Sequence, residues 1–324
     1  MIMIRLGTML RKLFFCFSLS FVFLFAGCAT LRDQVLSAEE EALLYPVSSY
    51  VPEFFDWQEV TAGEGTGEGA GAEGDVLPGI WRFDFENPDI PLIYHAVKVD
   101  LSFVGPGAAG AESEHTLQLL FGRGLSTAKF AARTKCVVAV NATPFTRSGQ
   151  LVGVHKEGGE LLSQPVARYG AIAFREAKAA TGGDDSFAER GESGLEARIF
   201  ASQADGELED WPYALGGFFT VLEDGAVLQD FIRRGDSRSG VGLSADGKTL
   251  FILVVEGERP LQSRGLSYPQ CGEIFREMGC YDALEFDGGS SAELCINGLS
   301  LLSYKNNRVQ ANSLGFCQHA PAGE

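Results

Sequence analysis

The sequence is short of positive charge: 26 lysines and arginines face 43 aspartates and glutamates in 324 residues, for a formal net charge of −17. No basic patch with interleaved aromatics offsets this deficit, which excludes nucleic acid as a partner and favours solubility. Histidine is scarce, with four in the chain, and none of the seven cysteines is spaced as Cys-x-x-Cys. A structural zinc site is excluded on that count. No Gly-x-Ser-x-Gly elbow accompanies a histidine, so Ser-His-Asp catalysis has no support. Internal repeats are absent, as is EF-hand spacing. Cofactors are not expected, although oxygen ligands are plentiful and a divalent cation stays open.

Long apolar runs are also few. Leu13–Phe25 is too short to span a bilayer, but it follows Arg5, Arg11 and Lys12 and ends in Leu24-Phe25-Ala26-Gly27-Cys28. This is the layout of a secretory signal with an acylatable cysteine at its end. Residues 1–28 therefore read as a lipoprotein signal peptide with lipidation at Cys28, with membrane contact through that anchor. The expected location is the bacterial cell envelope, facing the periplasm or the exterior. The alternatives are a cleaved signal without lipid and a short anchor helix. Beyond Cys16 and Cys28 there remain Cys136, Cys271, Cys280, Cys295 and Cys317. Export permits disulfides, the odd number leaves a thiol over, and buried thiols are the preferred reading.

Residues 29–79 are an N-terminal segment and a Gly/Glu-rich linker, in which Thr61–Gly74 cannot bury a core. Gly69-Ala-Gly71-Ala-Glu-Gly74 fits the dinucleotide fingerprint but lacks its strand and helix, so cofactor binding there is rejected. Residues 80–318 read as one domain and 319–324 as a tail. Strands are expected at Tyr94–Phe103, Thr116–Phe121, Cys136–Val140, Leu151–His155 and Tyr169–Phe174, with a loop over Glu176–Glu196. Thr127–Thr134 suggests a short helix. Val241–Ser244 and Leu250–Val255 flank an Asp246-Gly247 turn. Ser267 starts a helix that Gly279 stops after Met278. Ala283–Phe286 is a strand, Leu294–Ile296 and Leu299–Tyr304 flank Asn297-Gly298, and a last strand lies near Val309–Phe316. The fold class is α+β, with a mixed, mostly antiparallel sheet core and few helices.

One segment concentrates chemistry: Glu285-Phe-Asp287-Gly288-Gly289-Ser290-Ser291-Ala-Glu293. Strand alternation sends Glu285 and Asp287 to one side, at a Gly-Gly turn where a ligand approaches the backbone closely and successive N–H groups form an anion nest. The competing reading is a turn in which Asp287 caps its own backbone. Arg238 and Arg259 lie in loops beside apolar strands and suit phosphate or carboxylate; solvated surface arginines are the alternative. Asn141 ends an apolar strand, where an amide orients a polar ligand or merely turns the chain.

These blocks resemble the phosphodiester glycosidase family. Its Asp-Gly-Gly-Gly-Ser motif appears as Phe286-Asp-Gly-Gly-Ser-Ser-Ala-Glu293 followed by Asn297-Gly298. Tyr94–Leu101, Val138–Asn141 with Phe145, Gly216-Gly217-Phe218, Glu223-Asp-Gly225, Ser237-Arg238-Ser-Gly-Val-Gly242, Val255–Arg259 and Val309–Leu314 follow in the family's order. Three departures stand out. Ser290 replaces a glycine, Glu256 replaces an aspartate ahead of an inserted residue, and Asn141-Ala-Thr-Pro-Phe lacks paired glycines.

The resemblance implies an envelope hydrolase that cleaves the sugar–phosphate bond of a sugar-1-phosphodiester, with a phosphorylated carbohydrate as substrate. Asp287 would be catalytic with Glu285 a lesser partner, Arg238 and Arg259 would hold the phosphate, and Asn141, Asn312 and Ser291 would bond sugar hydroxyls. Glu256 would orient an arginine or accept from the sugar. The alternative is a non-catalytic glycan-binding or polysaccharide-assembly lipoprotein of the same fold.

Overall fold

A computed structural model describes residues 45–62, 76–87, 89–106, 116–177, 194–231 and 233–318. The leader with Cys28, the Gly69–Gly74 segment, most of the Glu176–Glu196 loop and the tail lie outside the described residues.

The first strands are β1 (Gln58–Thr61), β2 (Val76–Asn87), β3 (Leu92–Asp100), β4 (Val104–Pro106), β5 (Leu117–Arg123) and β6 (Cys136–Asn141). Next come β7 (His155–Glu157), β8 (Glu160–Ser163), β9 (Ala171–Glu176), β10 (Leu195–Phe200), β11 (Tyr213–Gly216), β12 (Thr220–Glu223) and β13 (Ala226–Val227). The last are β14 (Arg238–Leu243), β15 (Thr249–Val255), β16 (Asp282–Glu285), β17 (Leu294–Ile296), β18 (Leu299–Ser300) and β19 (Asn312–Gln318). Two α-helices are described, α1 (Thr127–Thr134) and α2 (Tyr268–Glu277).

Among the described residues three sheets result, ordered β1-β2-β3-β15-β14-β16-β12-β13, β10-β9-β11-β7-β8 and β18-β17-β6-β19-β5-β4. Every described pairing is antiparallel except β4 with β5. The α+β expectation holds. The central core lies between the eight- and six-stranded sheets, with Val97, Ile252 and Leu284 from one meeting Val138, Leu314 and Phe316 from the other. Helix α2 covers the outer face of the eight-stranded sheet with Ile274 and Phe275, and α1 covers the six-stranded sheet with Phe130 and Ala131. Each of these valine, leucine, isoleucine and phenylalanine side chains contributes about 1.5–3 kcal/mol by burial.

Local signals account for the helices. The Ser126 side chain accepts from the Lys129 N–H to open α1, and the Gln270 amide oxygen accepts from the Ser267 N–H to open α2. Gly279 closes α2 with φ +100°.

Several expected boundaries move. Leu151 makes only an isolated bridge with Phe145, and the strand starts at His155. β10 rises from the far end of the expected loop, because Leu195, Ala197 and Ile199 are inward-facing and pair with β9. The sheet also begins ahead of Ile80, taking in β1 and Val76. Cys136 and Cys317 are register partners on β6 and β19 and form a disulfide, which corrects the all-thiol reading; Cys271, Cys280 and Cys295 stay buried thiols.

Candidate active site

The segment after β16 leaves one sheet and enters the other. The Phe286 N–H donates to the Ser239 carbonyl (2.7 Å), and its ring joins the central core. The Asp287 N–H donates to the Ala142 carbonyl (2.9 Å), which ties the turn to the end of β6. Gly288 is required by close approach, since a Cβ there would lie 2.6 Å from the Ser237 carbonyl oxygen. Gly289 is required by its φ of +57°. Ser290 is exposed and is not among the residues with positive φ, so a side chain in place of the family's glycine does not disturb the turn. The N–H groups of Asp287, Gly289, Ser291 and Ala292 all donate to main-chain carbonyls. The turn therefore lacks the run of available N–H groups that an anion nest needs.

Asp287 is half-buried at this turn. Burial raises its carboxyl above the ordinary aspartate value, against the pull of the Ser291 hydroxyl bonded to it and the positive Arg308 nearby. Glu285 lies elsewhere. It is 1% exposed and faces the α2 side of the sheet, beside Arg238 and Cys271. Burial pushes its carboxyl up to about 7, although Arg238 and then Cys271 draw it down. The expected shared surface for the two carboxylates is thus not formed. β16 stops at Glu285, and alternation does not carry through the turn.

Arg238 opens β14 and is half-buried. Its Nε donates to the Leu266 carbonyl and its Nη2 to the Arg234 carbonyl, both at 2.8 Å, and its guanidinium lies 4.1 Å over the Tyr268 ring. Burial pushes the Tyr268 hydroxyl up to about 12. Arg259 is exposed and lies 5.2 Å over the ring of Tyr304, whose hydroxyl stands beside Ser237.

Three expected sugar contacts are buried and engaged within the chain. Asn141 is 0% exposed; its amide nitrogen donates to the Asp287 carbonyl (2.6 Å) and its oxygen accepts from the Glu293 N–H (3.0 Å). Asn312, 1% exposed, accepts from the Thr143 N–H (2.8 Å) and donates to the Thr143 hydroxyl (3.1 Å). Glu256, also 1% exposed, accepts from the Ser303 N–H (2.7 Å) and hydroxyl and bonds His95, which in turn bonds Asp84 at 2.6 Å. Burial draws Glu256 upward, but the bonds from His95 and Ser303 outweigh it and hold the carboxyl below its ordinary value. Ser291 is buried too, yet reaches the Asp287 carboxylate.

The tether through Ser303 matters because the following residues wall the turn. Asn306 donates to the carbonyls of Ser290 and Ala292 (3.2 Å each), and Arg308 lies 5.2 Å over Phe145. Arg308 and Tyr268 went unnoticed in the sequence, because neither stands in a patterned block of its own. A separate groove of about 460 Å³, lined by Arg198, Trp211, Asp246, Tyr281 and Asp282 among others, opens at the far end of β14 and β16. It shares none of the residues around Asp287. No group of three or more metal-ligating side chains occurs among the described residues.

Asp287 thus lies half-buried on a Gly-Gly turn that passes from one sheet toward the other, with Arg308 nearby and Gly288 close to the backbone of Arg238. The chain belongs to the phosphodiester glycosidase family, whose model matches residues 134–317, more than half of the sequence. Among curated proteins, the SPbeta prophage-derived uncharacterized protein YomE of Bacillus subtilis (strain 168) is 27% identical over 183 residues, 55% of this chain and 26% of that protein. The chain thus spans about a quarter of that relative's length. Among solved structures, a hypothetical protein from Synechocystis aligns at TM-score 0.53 and 14% identity, covering 74% of this chain and 62% of that one. The catalytic domain of zebrafish N-acetylglucosamine-1-phosphodiester alpha-N-acetylglucosaminidase, auto-inhibited by its pro-peptide, aligns at TM-score 0.49 and 17% identity, covering 74% and 82%.

Proposed function

We propose that this protein is a bacterial envelope hydrolase, anchored through Cys28, that cleaves the sugar–phosphate bond of a sugar-1-phosphodiester in a glycan or exopolysaccharide. One observation carries the reading. Asp287 is half-buried on the Gly288-Gly289 turn, bonded by Ser291, with Arg308 nearby and Arg238 opening the adjacent strand. Breaking the anomeric C–O bond builds positive charge on the sugar and negative charge on the departing phosphodiester. A carboxylate near the anomeric carbon stabilises the first, as nucleophile or by its field. Cationic side chains stabilise the second. Phosphate leaves readily, so a second carboxylate acting as general acid is less necessary than in an ordinary glycosidase. The withdrawal of Glu285 behind Arg238 is compatible with that chemistry.

In this reading Asp287 is the catalytic residue, and Arg238, Arg308 and Arg259 meet the phosphate. Asn141, Asn312 and Glu256 position the surrounding segments, and Glu285 faces Arg238 from below. The test is release of free sugar from a panel of sugar-1-phosphodiesters by residues 45–324, with and without divalent cations. Release by the wild type and none by Asp287→Asn supports the proposal. Absence of release across the panel, with saturable binding that Arg238→Ala weakens, replaces it with a glycan-binding protein of the same fold.

A further inference from the structure

Three segments close into a ring at one end of the eight-stranded sheet. The Asn87 amide at the end of β2 donates to the Ser49 carbonyl (2.8 Å). The Arg264 N–H donates to the Pro91 carbonyl (2.9 Å), and the Arg264 guanidinium donates to the Tyr45 hydroxyl (2.9 Å). Residues 45–52, the turn between β2 and β3, and the loop that follows β15 are thereby laced together. Within that loop the N–H groups of Gln262 and Ser263 both donate to the Arg259 carbonyl (2.8 Å each), and the Ser263 hydroxyl accepts from the Ile93 N–H (3.0 Å). A turn held this firmly presents Leu261 at its tip, 95% exposed, and Val47 in the first segment is 47% exposed.

The charges of the ring differ from those of the molecule. In a chain with 43 acidic residues, residues 45–52 carry no charge, and from 259 to 264 the only charged side chains are Arg259 and Arg264, both exposed. The turn between β2 and β3 adds one exposed acid, Asp89. Apolar side chains that enter the acyl boundary, with arginines at the level of the headgroups, suit a protein lying on a bilayer. The acidic remainder of the surface is repelled by anionic lipid. A protein interface centres on anchors seated in well-packed pockets, whereas Leu261 projects from a tip.

Resting on the proposed anchorage at Cys28, we infer that this ring lies on the bilayer that holds the anchor, with Leu261 and Val47 in the acyl boundary and Arg259 and Arg264 among the lipid phosphates. The tether enters at the same place. The stretch from Cys28 to Tyr45 extends to at most about 60 Å, and Tyr45 is itself a member of the ring. Acyl chains hold the protein at the membrane, and the ring decides which end meets it. The catalytic turn leaves the sheet at this end too. Arg238 pairs with Val255 at the end of β15, and Gly240 pairs with Glu285 at the end of β16. Hydrolysis is thus placed close to the membrane surface.

The purified mature chain would be reconstituted with vesicles of phosphatidylethanolamine and phosphatidylglycerol, with and without bromine on the acyl chains, as wild type, Leu261→Trp and Leu161→Trp. Leu161, 45% exposed on β8 of the five-stranded sheet, serves as the control. Brominated lipid should quench the emission that Leu261→Trp adds to the wild-type signal and leave the emission added by Leu161→Trp unchanged. Quenching at both positions, at neither, or at Leu161→Trp alone would overturn the inference. Capture of a protein rather than lipid by a photoreactive group at position 261 would overturn it too, in favour of a protein partner. Mass spectrometry of the mature chain tests the anchor separately. If Cys28 carries no acyl group, sedimentation with the same vesicles decides. Bound chain with Leu261→Trp quenched sustains the face without the anchor, and unbound chain removes both.

Discussion

Asp287 sits where only glycine can follow it, and its protonation decides whether the site carries a negative charge. Asp287→Asn keeps the shape and removes the charge, so turnover should fall about a hundred- to a thousandfold, the scale of losing one electrostatic stabiliser. Calorimetry should show a melting temperature no lower than that of the wild type, since the amide removes a partly buried charge. Because burial holds this carboxyl above its ordinary value, the ionised form is lost as pH falls through that raised value. Activity should therefore fail at a higher pH than an ordinary aspartate would allow. Arg308 pulls the value down, so Arg308→Ala should move the acidic limb of kcat/KM further up in pH; an unmoved limb would detach Arg308 from Asp287. The turn that carries Asp287 was legible because its paired glycines announce a special backbone. Arg308 was not, being a lone exposed cation in an unpatterned segment. Glu285 was misplaced because alternation holds only while a strand continues.

At the scale of elements, the wall of the site depends on a tether in another part of the sheet. Glu256 holds Ser303, and His95 with Asp84 holds Glu256. Glu256→Gln keeps the volume but weakens charge-assisted bonds worth about 1.5–3 kcal/mol each. We expect a lower melting temperature and a raised KM, as the segment bearing Tyr304 and Arg308 loosens, with the pH profile of Asp287 retained. The β14–β15 hairpin and α2 could be read in advance because Asp246-Gly247, Ser267 and Gly279 are local stop signs. β10 could not be, because its strand character comes from pairing with β9 and its neighbours in sequence are polar and glycine-rich. Nor could the Cys136–Cys317 bond, which depends on two strands distant in sequence becoming register partners.

For the whole molecule, buried acids set the response to pH. Glu285 and Glu293 are both raised to about 7 by burial, so their protonated forms favour the folded state. Their contribution is complete below the ordinary carboxyl value and is lost as pH rises toward 7. Asp84 works oppositely: burial raises it, but His95 and Arg82 outweigh that and lower it to about 2, so its contribution fades only in strong acid. Thermal stability should thus peak in mild acid and decline toward about pH 8, and Glu293→Gln should flatten the decline in a calorimetric series. Reduction of the Cys136–Cys317 bond, which closes a separation of 181 residues, should cost up to about 5 kcal/mol on loop-closure grounds, read from denaturant unfolding with and without reductant. The same two residues bear on the order of assembly. β19, the last of its sheet's strands in chain order, inserts between β6 and β5. A ribosome delivers β6 and β5 well before it, so both carry an unsatisfied edge until β19 emerges, and a molecule truncated before Asn312 would be left with an unfilled slot into which a neighbour's strand could slide.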